Sequence, residues 1–318
     1  MNLFFSFIVS CVVTLLLGPI LIPFLRRLKF GQTVRNDGPR THFSKTGTPT
    51  MGGLMFIFST VLTTLFFAPH SLNILTVLAM MISFGAIGFA DDYIKIVLKR
   101  SLGLRARSKL SLQILMSVIL AVVAVVFLDR GTAIIIPLLG TKVYLHWLYI
   151  PFSIVVVVGT TNAVNLTDGL DGLAAGITFF LALVYIFITN LSNMPALGIF
   201  SCALAGGLAG FLFYNYHPAS IFMGDTGSLA LGAALATLAI LTRTELLLVI
   251  IGGVYVIETL SVIMQVISFK LTGKRIFRMS PIHHHFELKG WKEKEVVLVF
   301  WIIAFIFAIS GLGIFLIS

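Results

Sequence analysis

Charge is scarce in this chain. Asp, Glu, Lys and Arg make up 11% of its 318 residues, against 58% hydrophobic ones, where soluble domains carry about 25% charged residues. That scarcity excludes a water-soluble globule. Cysteine is scarcer still: Cys11 and Cys202 both lie inside apolar runs and form no C-x-x-C pair, so neither a disulfide framework nor a thiolate metal site is available. Acidic residues number 12 against 22 Lys and Arg, a net charge of +10, which favours anionic partners such as lipid headgroups or phosphorylated substrates. Nucleic acid is excluded as a partner, because no soluble basic domain exists to hold it. No internal repeat, low-complexity tract or linker divides the chain, so residues 1–318 read as one membrane domain.

What the chain has instead is long apolar runs. Ten are long enough to cross, or nearly cross, a bilayer: Leu3–Leu25, Met51–Phe67, Leu72–Ala90, Leu110–Leu128, Trp147–Gly159, Leu173–Ile188, Ala196–Tyr214, Thr226–Leu241, Leu246–Phe269 and Val296–Ile317. They are continuously apolar and do not alternate, which predicts an all-α polytopic bundle and not a barrel. The first run has no positive residue before it and Arg26, Arg27 and Lys29 after it, the reverse of a secretory signal, so a retained first span is expected. With ten spans, loops 26–50, 91–109 and 270–295 hold 19 of the 22 cations on one face. The positive-inside rule makes that face cytoplasmic and both termini extracytoplasmic. Loops 160–172 and 215–225 fall on the same face and carry acids but no Lys or Arg, an arrangement that loop solubility does not require.

Five segments on that face carry candidate chemistry. Asp91 and Asp92 close the third run; adjacent carboxylates suit a metal-assisted site or a general base, the plain alternative being an Asp91–Lys95 pair at a helix end. Asn162, Asn165, Asp168 and Asp171 recur every three residues in a loop with Gly169, Leu170 and Gly172, so neighbouring side chains converge on a ligand if the turn is helical. An EF-hand is excluded by the spacing and the missing downstream Glu. Phe222-Met223-Gly224-Asp225-Thr226-Gly227-Ser228 puts one carboxylate between glycines at the start of a span, suited to Mg²⁺ or to N-capping. Of His283, His284 and His285, at most two can meet one ligand, because neighbouring side chains diverge in either a strand or a helix. Lys45 and the hydroxyl- and glycine-rich Thr46–Gly53 segment, with Thr50, have phosphate-contacting chemistry but match no Walker motif. In the ninth run Glu258, Ser261, Gln265 and Ser268 form one helical stripe. A mid-membrane acid costs about 2.5–3.5 kcal/mol on insertion scales for Asp, so Glu258 is expected to face protein or water, in a packing role or a functional one.

These five segments, taken in order, resemble the phospho-N-acetylmuramoyl-pentapeptide-transferase family, part of the wider polyprenyl-phosphate hexosamine-1-phosphate transferases. The resemblance runs from Lys45–Gly53 to His283-His284-His285-Phe286-Glu287, and the His triplet between Pro281 and Glu287 separates this family from its relatives. It implies an Mg²⁺-dependent bacterial enzyme of the plasma membrane. Such an enzyme moves phospho-N-acetylmuramoyl-pentapeptide from its UDP carrier to undecaprenyl phosphate at the cytoplasmic face, giving lipid I and UMP. By resemblance Asp225 ligates Mg²⁺, and Asp91 and Asp92 are catalytic, one of them deprotonating the lipid phosphate. By the same analogy Phe222 stacks on uracil, Lys45, Asn215, Gly169, Leu170 and Asp171 surround the nucleoside, and Thr50, Asn162, Asn165 and Asp168 line the cleft. His283 is then catalytic, with His284 and His285 at the substrate. The bilayer is a partner throughout, and a homodimer is compatible with the sequence. Two rivals stand beside this reading: the same chemistry on another donor such as UDP-N-acetylglucosamine, and an ion-coupled transporter, which would place its acids near the midplane.

Overall fold

The computed structural model describes residues 2–28, 47–98, 100 and 102–318. Among these, nine helices are long and apolar enough to cross a membrane, and a tenth, shorter apolar helix spans Gly53–Phe67. In chain order the helices are α1 (Asn2–Arg27), α2 (Gly53–Phe67), α3 (Leu72–Ile96), α4 (Ala106–Val122, continued by one π-helical turn to Phe127), α5 (Tyr149–Thr167), α6 (Leu173–Leu191), α7 (Pro195–Asn215), α8 (Gly224–Thr242), α9 (Glu245–Ile251), α10 (Gly253–Thr272), α11 (Ile282–Glu287) and α12 (Glu293–Ile317). A small antiparallel hairpin, β1 (Ala133–Ile135) with β2 (Lys142–Tyr144), precedes α5 and pairs Ala133 with Tyr144. The all-α polytopic expectation is borne out. Boundaries differ in places: α3 and α5 run on to Ile96 and Thr167, past the apolar runs that end at Ala90 and Gly159. The ninth apolar run is two helices, α9 and α10, because Gly252 and Gly253 interrupt it, and glycine weakens a helix interior by about 1 kcal/mol relative to alanine.

The bundle has an apolar core, and its helices also turn large apolar side chains outward. On α1 the buried row is Ser6, Ser10, Thr14 and Gly18, continued by Ile22 and Leu25, while Phe4, Ile8, Val12, Leu16, Ile20 and Phe24 point outward. Large apolar side chains face outward only where the surroundings are lipid, and small or hydroxylated ones let backbones approach inside. Ser10 and Thr14 each bond the Ser59 hydroxyl on α2.

Helix α8 is the axis of the bundle. Its sequence is rich in Gly, Ala, Ser and Thr, and all but the first two of its residues are buried. Helices α2, α3 and α5 pack directly on it. The closest approach is at Gly88 of α3, where any Cβ would overlap the carbonyl oxygen of Asp225; a Cβ on Gly53 of α2 would likewise overlap the backbone of Gly227. These two crossings draw the ends of α2 and α3 onto the first turn of α8.

Helix α2 has 15 residues, about 22 Å at 1.5 Å per residue, short of a hydrocarbon core of about 30 Å. Its missing turn is replaced by an extended piece buried in protein. Phe222 N donates to Pro49 O at 2.8 Å, and Gly52 N and Gly53 N donate to Phe222 O and Met223 O at 2.8 and 3.0 Å. Irregular backbone at that depth is tolerated where protein satisfies it.

Candidate active site

The C-terminal ends of α3 and α5 meet the N-terminal end of α8, and the acids the sequence singled out there converge. One oxygen each from Asp91, Asp92 and Asp225 lies within 4.8 Å of the others. Asp91 and Asp92 are buried in α3, and the Asp225 side chain keeps 16% of its exposure, so the cluster opens at Asp225. Two lysines balance it. Lys95 Nζ is 2.5 Å from Asp91 Oδ2 and 3.0 Å from Asp225 Oδ2, and Lys109 Nζ, on α4, is 2.7 Å from the same Asp225 oxygen and 3.9 Å from Asp91 Oδ2. The i,i+4 pair at the helix end therefore exists, inside the larger cluster and not instead of it.

The three carboxylates are held differently. Asp92 caps a helix to which it does not belong: its Oδ2 accepts from Thr226 N at 2.9 Å and Thr226 Oγ1 at 2.7 Å, and its Oδ1 from Asp225 N at 3.2 Å. Helix α8 has no side-chain cap of its own, and its exposed N–H groups attract a carboxylate. Asp91 Oδ1 accepts from Leu104 N at 2.7 Å, in a turn where Gly103 has φ +61°. Asp225 Oδ1 accepts from Asn165 Nδ2 at 2.9 Å, and the same amide reaches Ser228 Oγ at 2.8 Å. Gly224, at φ +74°, leaves room beside Asp92 for the buried Thr50; a Cβ there would come within 2.7 Å of Thr50 Oγ1. Three hard oxygen donors converging from two helices suit a divalent cation, and Asp225 is the most accessible of them.

The three-residue spacing of the α5–α6 segment does not converge on one point. Helix α5 runs on through Thr167, which separates its members. Asn165 reaches Asp225, whereas Asn162 Nδ2 bonds Gln113 Oε1 of α4 at 2.9 Å. Asp168 caps the helix and is half-buried, as is Gly169, and Leu170 is buried. Asp171 turns the other way: its Oδ2 lies 3.0 Å from His217 Nδ1 and accepts from Ala219 N at 3.1 Å, while its N–H donates to Glu293 Oε1 at 2.8 Å. Asn215 accepts from Gly172 N at 3.1 Å and donates to Ile221 O at 2.9 Å. Asp171 and Asn215 thus tie three loops together, with Phe222, half-buried, at the exit of the tied loop.

The three histidines go three ways, within the limit of two set by their spacing. His283 is fully buried, with Nδ1 3.1 Å from Glu258 Oε1 of α10. His284 Nδ1 meets Glu287 Oε2 at 2.7 Å. His285 Nδ1 accepts from Arg278 N at 3.0 Å; burial first, then Lys289 and Arg278, hold its pKa below the usual histidine value. Lys45 lies outside the described residues. The sequence reading missed Lys109 and Gln113. Nothing distinguishes Lys109 from the other cations of its loop, but Gln113, an amide within an apolar run, carried the signal that intramembrane polar residues carry.

A bundle of this kind, with a carboxylate and lysine cluster at one end, matches the model of glycosyl transferase family 4 over residues 74–243, a stretch that holds all three acids and Asn165. The similarity extends over almost the whole chain to proteins named phospho-N-acetylmuramoyl-pentapeptide-transferase. The Moorella thermoacetica protein is 55% identical over 96% of both chains, and that of Heliobacterium modesticaldum 56% identical over 96% of this chain and 95% of its own. The chain belongs to the phospho-N-acetylmuramoyl-pentapeptide-transferase family.

Proposed function

We propose that this chain transfers phospho-N-acetylmuramoyl-pentapeptide from its UDP carrier to undecaprenyl phosphate, forming lipid I and releasing UMP. The observation that carries the proposal is the meeting of Asp91, Asp92 and Asp225 with Lys95 and Lys109 at one end of the bundle. A lipid phosphate oxygen attacks the sugar-linked phosphorus of the donor, the bond to the bridging oxygen breaks, and UMP leaves with that oxygen. Both reactants are anions, so their approach requires positive charge in place beforehand. Lys95 and Lys109 contribute that charge, and the acids anchor more. Asp225, with Asp91 beside it, would hold Mg²⁺, which supplies a Lewis acid for phosphoryl oxygens when bound. One of Asp91 and Asp92 takes the proton of the lipid phosphate; Asp92 holds the start of α8 through both oxygens, and Asp91 holds Leu104 N and Lys95.

The remaining assignments follow the site outward. Phe222, Gly169, Leu170 and Lys45 take the nucleoside, and Thr50 and Asp168 line the cleft beside it; Asn215 and Asp171 shape that subsite by holding its loops. Residues 1–318 form one catalytic domain in the bacterial plasma membrane, with its site on the cytoplasmic face, a side supported by the 19 of 22 cations in the three basic loops of that face. The experiment is radiolabelled lipid I formation by the purified protein. Product that appears with Mg²⁺, disappears with chelator and is not competed by UDP-N-acetylglucosamine supports the reading; no product from either donor refutes it.

A further inference from the structure

The stripe Glu258, Ser261, Gln265 and Ser268 of α10 turns inward and grips the segment that leads to the histidines. Gln265 Oε1 accepts from Ile276 N and Phe277 N at 3.0 and 2.9 Å, its Nε2 donates to Phe277 O at 2.9 Å, and Ser268 Oγ donates to Lys274 O at 2.9 Å. Glu258 ends the stripe at His283. Both side chains are fully buried, and none of their four polar atoms makes an aligned hydrogen bond, so the 3.1 Å approach of Nδ1 to Oε1 is the polar interaction each has among the described residues. Ser261 bonds the Glu258 carbonyl, not its carboxylate. A carboxylate buried without a partner costs several kcal/mol, and His283 is the partner within reach. On the other side of the imidazole, Nε2 abuts Gly169 so closely that any Cβ there would overlap it.

We propose that Glu258 is a positioning residue acting through His283. Its carboxylate, 3.1 Å from Nδ1, keeps the proton on that nitrogen, which leaves Nε2 as the ring atom against the Asp168–Leu170 turn, and through that turn it bears on a donor bound there. The hydrogen bond at one imidazole nitrogen sets the state of the other, and comparable partners of metal-bound histidines are worth about 10- to 100-fold when removed. This inference rests on the transferase reading of the site.

The test combines kinetics with histidine ¹⁵N spectroscopy on the full-length protein in lipid nanodiscs. Glu258→Gln is expected to lower kcat about 10- to 100-fold with KM for the nucleotide donor unchanged within about threefold, and to move the His283 proton from Nδ1 to Nε2. In a His283→Ala background the same replacement is expected to change the rate less than about twofold, because the two act as a unit. Wild-type kcat and tautomer in Glu258→Gln, or losses that simply multiply in the double variant, overturn the proposal. If the Gln variant does not fold, Glu258→Asp, which withdraws the carboxylate but keeps its charge, takes its place, and wild-type kcat there is equally fatal. Failure of the wild-type protein to make lipid I sinks the transferase reading instead, while the tautomer measurement still reports on the pair.

Discussion

Asp92 is buried and Asp225 half-buried in one cluster of acids, and their surroundings divide their roles. Asp92 directs three hydrogen bonds at the first turn of α8, so Asp92→Ala leaves two backbone N–H groups uncapped inside the protein. Losses of this type cost about 1–3 kcal/mol, and thermal melts of the purified variant are expected to show a clear fall in Tm. Asp225 holds lysines and one amide. Asp225→Asn keeps an oxygen for Asn165 but withdraws the charge that anchors a cation, so UMP release is expected to be lost while Tm stays within a few degrees of wild type. Near-normal Mg²⁺-dependent turnover in that variant would refute the metal assignment. The acids themselves were legible in the sequence, because a charge beside an apolar run is conspicuous. Their division of labour was not, since the cap that Asp92 supplies belongs to a helix 133 residues further on.

At the scale of elements, the site depends on how closely α3 approaches α8. Gly88 permits that approach, with no space for a Cβ against Asp225 O. Gly88→Val is expected to push the two helices apart and displace Asp91 and Asp92 from Asp225. A misplacement of about 1 Å costs on the order of 100-fold in rate, and lipid I formation by the folded variant measures it. Gly159→Ala is the control. It lies on α5 with nothing within 4 Å of where a Cβ would sit, and turnover close to wild type is expected. The ten apolar runs located the spans well because membrane insertion demands them. The break at Gly252–Gly253 was less visible, since α9 and α10 are both apolar and a glycine pair within an apolar run does not by itself mark a helix end.

For the whole molecule, the up-and-down course of the chain puts the carboxylate cluster at one end and the hairpin at the other. At the far end Arg130 is buried against Glu245, Tyr149 Oη donates to the same carboxylate at 2.9 Å, and Leu138 N reaches Ser318 Oγ at 2.9 Å. Single cysteines at exposed sites test which end faces the cytoplasm. Leu102 is 75% exposed near the site and Leu139 70% exposed on the hairpin. In intact cells an impermeant maleimide is expected to label Leu139→Cys and spare Leu102→Cys; the reverse pattern overturns the orientation. Fully buried His283 is no use as a reporter, which the sequence could not reveal.

By itself the sequence determined the all-α membrane bundle, its approximate spans, the gathering of acids and histidines into a few loops, and the family. These follow from composition, run length and local spacing, which are properties of neighbouring residues. The tertiary structure alone decided which polar groups meet: Lys109 with Asp225, Asp92 with the start of α8, Glu258 with His283, and Asp171 with the loops around it. The reason is distance along the chain. A buried charge must find a partner or a cap wherever the packing of helices offers one, and that packing is governed by crossings such as Gly88 on Asp225, which no local pattern encodes.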